Sequence, residues 1–177
     1  MQNTVSPLIP QSAKGTPWRS ILADIVLAGL VSGPLAAPFL AASSLPLLPQ
    51  IADIIYFMGV HVCPQPDMGL ALSPPHIMAV CMRCYGTVIG LLATRFIYQK
   101  DGGKAAYWLN QYGFWGFLLT IILCLFYPAE LAAQWQGWWQ YNNWIVTAFG
   151  LVSGLGLGAY IMPLLHSSSG PGKASLR

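Results

Sequence analysis

The sequence predicts an all-α integral membrane protein: a four-transmembrane-helix bundle with a short interfacial helix between spans one and two. Two observations carry this. Of 177 residues, 55% are hydrophobic and only 7% charged, where soluble domains carry roughly a quarter charged residues. Four apolar runs, 20–42, 77–98, 109–127 and 144–165, each come close to the ~20 residues that a hydrocarbon core requires. Residues 20–165 therefore form one membrane domain, preceded by an N-terminal segment (1–19) and followed by a disordered tail (166–177). The net charge of +3 is spread singly over helix ends, unlike the basic patch of a nucleic-acid module. The chain has no phosphate-cradling Gly-rich loop, no Ser/His/Asp set and no paired carboxylates, so the expected partner is the lipid bilayer.

The first run holds Gly33-Pro34 and Pro38, which should bend it. Asp24, a turn inside its start, is read as snorkelling to the headgroups. Small residues at Ala41-Ala42-Ser43 resemble a signal-peptide cleavage site, but the apolar stretch exceeds the usual 7–15 residues, and the run is read as retained. Over 45–60, Leu47, Leu48, Ile51, Ile54, Ile55 and Met58 recur at helical intervals behind Pro46 and Pro49. They predict a short helix at the outer face. Gly86 and Gly90 in the second run, and Gly150, Gly154 and Gly158 in the fourth, are four apart. Such spacing lets helices approach closely, within the bundle or across a homodimer. The segment 128–143 is rich in Trp and Tyr and reads as an interfacial belt, with a membrane-protein partner as its other use.

Lys and Arg set the orientation. Lys14, Arg19, Arg95, Lys100, Lys104, Lys173 and Arg177 flank the termini and the 99–107 loop, whereas the other connections offer only Asp53, Asp67 and Glu130. Both termini are expected in the cytoplasm of a bacterial inner membrane, an internal photosynthetic-type membrane being the other setting. Arg95 is read as a cytoplasmic anchor. The segment before the second run then faces the oxidising side.

That segment carries the chemistry. His61-Val62-Cys63-Pro64-Gln65 is followed by Cys81-Met82-Arg83-Cys84-Tyr85-Gly86, with Cys81 and Cys84 on one face of a helix start, where the dipole favours a thiolate. Cys124, near the outer end of the third run, lies at a similar depth. His61, Cys63, Cys81 and Cys84 form a donor set for zinc or another transition metal, with His76 as a substitute. Thiol redox is the alternative, with Cys81 and Cys84 exchanging and Cys63 or Cys124 resolving a mixed disulfide. A static disulfide and inert buried thiols complete the choices. Arg83 is read as a headgroup anchor, or as a contact for an anion or a quinone oxygen beside the thiols.

These residues resemble a family of bacterial membrane proteins, domain of unknown function 2085, whose signature is Cys-His-Gln followed by Cys-x-Arg-Cys-x-Gly. Cys63 and Gln65 match the first element, and Cys81, Arg83, Cys84 and Gly86 the second, over about 56–92. Pro64 stands where the family has His. The resemblance implies a membrane location and a shared cysteine set, and no particular activity. A looser likeness links the chain to quinone-coupled disulfide-forming oxidases, which also open a second helix with C-x-x-C. Their second cysteine pair has no counterpart in 128–143.

Reporter fusions test the orientation. Alkaline phosphatase fused after Gly69 should be active and after Gly102 inactive; the reverse would place the cysteines in a reducing compartment.

Overall fold

A computed structural model describes residues 18–102 and 105–166. Most of the N-terminal segment and nearly all of the tail, with Lys14, Lys104, Lys173 and Arg177, lie outside the described residues. The helices are α1 (Trp18–Ala41), α2 (Leu48–Val62), α3 (Met82–Asp101), α4 (Phe114–Cys124), α5 (Phe126–Trp135) and α6 (Asn143–His166), and a two-stranded hairpin, β1 (Ala71–Ser73) and β2 (His76–Ile77), precedes α3.

Three stretches are long and apolar enough to cross a membrane: α1, α4 with α5, and α6. The fourth expected span, now α3, has the length, at 20 residues, but carries Arg83, Arg95, Lys100 and Asp101. It packs most extensively against α6, and the glycines make this contact backbone to backbone. A methyl group at Gly90 would lie 2.6 Å from the Leu151 carbonyl oxygen and 2.7 Å from the Leu155 nitrogen. Gly150 and Gly154 face the backbone of Arg83 and Thr87 in the same way. Both glycine stripes thus form a seam inside this chain.

The second apolar run becomes helical later than expected. Its first residues are extended: Ile77 pairs with Ala71 in the hairpin, and the Met78 N–H donates to the Leu70 carbonyl at 2.9 Å. Met78, Ala79, Val80 and Cys81 are all buried, and a short buried apolar run has no periodicity that separates strand from helix. The third run, by contrast, continues past its expected end at 127 to Trp135. Pro128 has no N–H for the Cys124 carbonyl four residues earlier. Ser153 on α6 compensates, its hydroxyl lying 3.2 Å from the Leu123 oxygen and 3.4 Å from the Cys124 oxygen. Such outside donors let a membrane helix keep a proline bend.

The short helix α2 lies against α1, with Ile55 beside Gly33. Asp24 does not snorkel alone, and Arg95 is not a free anchor. The Arg95 guanidinium donates to both Asp24 oxygens, at 2.6 and 2.7 Å, and His166 Nε2 lies 3.1 Å from Oδ1. This cluster joins α1, α3 and α6 at the end of the bundle away from the cysteine pair.

The seam can be tested at two glycines. Gly154→Leu should abolish accumulation in the membrane, because the added side chain meets fixed backbone at Thr87. Gly156 is also packed, but against the Leu123 side chain, whose Cβ is 2.5 Å from the position of an added methyl. Gly156→Leu should therefore accumulate at reduced levels, in keeping with overpacking costs of ~1–3 kcal/mol. Equal levels of the two variants on immunoblots would show that the seam does not depend on backbone contact.

Candidate metal and thiol site

Cys81 is the N-cap of α3 and Cys84 lies in its first turn, while Cys63 is the C-cap of α2. The proline-containing segment between them folds back for specific reasons. Tyr56 Oη donates to the Ile77 carbonyl at 2.7 Å and Tyr141 Oη to the Met68 carbonyl at 3.0 Å. Gly59 lets α2 lie on the backbone of Ala79. These contacts bring Cys63 to the start of α3, where Met78, Val80 and Tyr85 enclose it.

The three sulfurs form a compact triangle. Cys84 Sγ donates to Cys63 Sγ at 3.4 Å and Cys81 Sγ to Cys84 Sγ at 3.6 Å, and all three lie within 4.8 Å of one another. The thiols are unbonded. The backbone N–H of Cys81 adds a further donor to Cys63 Sγ at 3.3 Å. The Cys81 and Cys84 thiols, with that N–H, hold the Cys63 thiol well below its ordinary range, against the opposing effect of burial. Cys63 Sγ thus accepts from both the Cys84 thiol and the Cys81 backbone N–H. Tyr127 Oη lies 3.0 Å from Cys84 Sγ.

Three other expected members are placed elsewhere. His61 is exposed, its Nδ1 2.7 Å from the Phe57 carbonyl one turn back and its ring against Phe57. A residue at i−2 from the α2 C-cap points away from the thiols, so His61 does not join the donor set. His76 sits in β2, and among the described residues neither histidine groups with the cysteines. Cys124 lies at the α4 kink against α6, 3.9 Å from the Ser153 carbonyl.

Arg83 departs furthest from expectation. It is fully buried within the protein, and its Nε forms an ion pair with the equally buried Glu130. Nη1 donates to Gln65 Oε1 and Nη2 to Gln134 Oε1, both at 3.0 Å. The guanidinium carbon lies 5.7 Å from the centre of the Tyr127 ring, and Trp139 Nε1 donates to the second Glu130 oxygen at 3.3 Å. Gln65 thereby ties the Cys63 loop to α3, and α5 carries Tyr127 to the thiols. Sequence reasoning missed Tyr127, Glu130 and Gln134. Their signal was present: spaced i, i+3 and i+7, they form one polar stripe on a helix.

Residues 73–160 match the family model described as "Predicted membrane protein (DUF2085)". The chain resembles that family. The matched segment contains Cys81, Arg83, Cys84, Tyr127, Glu130 and Gln134 and begins after Cys63 and Gln65. No curated protein and no solved structure matches the chain.

The buried ion pair can be tested by thermal unfolding in detergent. Glu130→Ala should destabilise by about 3–5 kcal/mol, because it leaves the Arg83 cation buried without a counter-charge. The double variant Arg83→Met with Glu130→Leu should recover most of that loss, since two apolar groups need no partner. Additive losses would show that the two charges do not act as a unit.

Proposed function

We propose that this multi-pass membrane protein holds one transition-metal ion, zinc or another ion that favours thiolates, on Cys63, Cys81 and Cys84 at its non-cytoplasmic face. The observation that carries the reading is the closed triangle of sulfurs. Zinc–sulfur bonds of ~2.3 Å put neighbouring sulfurs of a tetrahedral site about 3.8 Å apart, and the separations of Cys84 from its two partners, 3.4 and 3.6 Å, need to open by only a few tenths of an ångström. Metal binding displaces the thiol protons, which removes the S–H donors that now join the sulfurs. Either the phenol oxygen of Tyr127, which touches Cys84 Sγ, or an external donor completes the shell.

Thiol exchange fits this arrangement less well. A thiolate attacks a disulfide sulfur along the axis of the bond it breaks. At Cys84 the directions to Cys63 and Cys81 meet at no more than about a right angle, because the third separation does not exceed 4.8 Å. The triangle favours one ion bound by three sulfurs over a relay of disulfides.

In this reading α3 is a fourth crossing and both termini are cytoplasmic in a bacterial inner membrane. The length of α3 supports the crossing, as do the partners of its arginines, Glu130 on α5 and Asp24 on α1. The distribution of Lys and Arg supports the orientation.

Protein purified without reductant or chelator should carry about one equivalent of metal by elemental analysis, lost on Cys84→Ser. Cys63, Cys81 and Cys84 should resist alkylation until the metal is removed, whereas Cys124→Ser should leave the metal content unchanged. Three freely alkylated cysteines in metal-free protein, with no uptake of added zinc or cobalt, would overturn the proposal.

A further inference from the structure

The bundle carries a second polar cluster at the other end of α3, and a cavity of about 400 Å³ opens beside it between α1 and α6. Leu27 and Leu30 on α1, Leu91 on α3, and Leu157 and Ile161 on α6 form its walls. Arg19, Asp24 and His166 border it. An apolar slot with charged groups at one end fits an amphiphile better than a water-soluble ligand.

The charges decide which amphiphile. Asp24 is the cluster's single carboxylate, and its charge is matched by the two-point contact with Arg95. Arg19 has no such partner among the described residues, and it is exposed on the first turn of α1. The His166 ring lies between two oxygens, the Met162 carbonyl oxygen 3.2 Å from Nδ1 and Asp24 Oδ1 3.1 Å from Nε2, and a neutral ring donates to one of them. Its side chain is only 4% exposed, so it walls the slot instead of turning outward. With Asp24 matched by Arg95, Arg19 leaves at least one unmatched positive charge at the mouth of an acyl-sized slot. Basic pockets between membrane helices recognise anionic headgroups in this way.

We infer that this cavity binds an anionic phospholipid, with an acyl chain between α1 and α6 and the phosphate at Arg19. The site is independent of the thiols, and its test does not require metal.

Delipidated protein in detergent is titrated with phosphatidylglycerol or phosphatidylcholine of the same acyl chains, and bound lipid is read by native mass spectrometry. Phosphatidylglycerol should bind about fivefold more tightly, as expected for one cation acting on an anionic headgroup. Arg19→Gln should remove that preference while leaving the melting temperature unchanged, since Arg19 is exposed. Leu30→Trp, which fills the slot from a half-exposed position, should weaken both lipids. If Leu30→Trp unfolds the protein, Arg19→Gln carries the test alone. Equal binding of the two lipids to the unaltered protein, or an undiminished preference in Arg19→Gln, would overturn the inference.

Discussion

A helix with two arginines cannot face hydrocarbon unless each charge is met, because an unpaired cation at membrane depth costs several kcal/mol. Much of this structure follows from how the two arginines of α3 are paired. Glu130 on α5 takes Arg83 and Asp24 on α1 takes Arg95, so the helices on either side of α3 are recruited by its charges. Its remaining face is closed by α6, with glycine against backbone. The same enclosure fixes the first turn of α3, and that turn carries two of the three clustered sulfurs.

The fold was legible wherever one kind of signal acted alone. Apolar length gave α1 and α6 to within two residues, and helical spacing gave α2. Glycine spacing identified the seam, although only coordinates could assign it to one chain. Legibility failed where polar groups find partners far away in sequence. Asp24 and Arg95 each look like headgroup anchors when considered singly, and they are 71 residues apart in the chain. Glu130 looked like an isolated loop acid because Pro128 seemed to end the third span. The donor from Ser153 that lets the helix bend there lies on another helix.

The site was partly legible for related reasons. C-x-x-C at a helix start is a local pattern, and it correctly placed Cys81 and Cys84 together. Bringing Cys63 to them depends on Tyr56, Gly59 and Gln65, whose contacts span up to 21 residues. His61 was drawn into the set by nearness in sequence, yet its ring packs on Phe57 instead. Tyr127, which touches Cys84 directly, is 43 residues away.

The two ion pairs of α3 also constrain how the bundle can move. Arg83 and Arg95 are twelve positions apart, roughly 18 Å along a helix axis, and they are held by different helices near opposite ends. A slide of α3 by one turn, or a rotation by one residue, would separate both pairs together and drag the glycine faces out of register with α6. That makes α3 and α6 a rigid spine. Any breathing of the molecule then falls to α2, whose outer face exposes Ile54 and Phe57 and which packs chiefly against α1 and not against the spine.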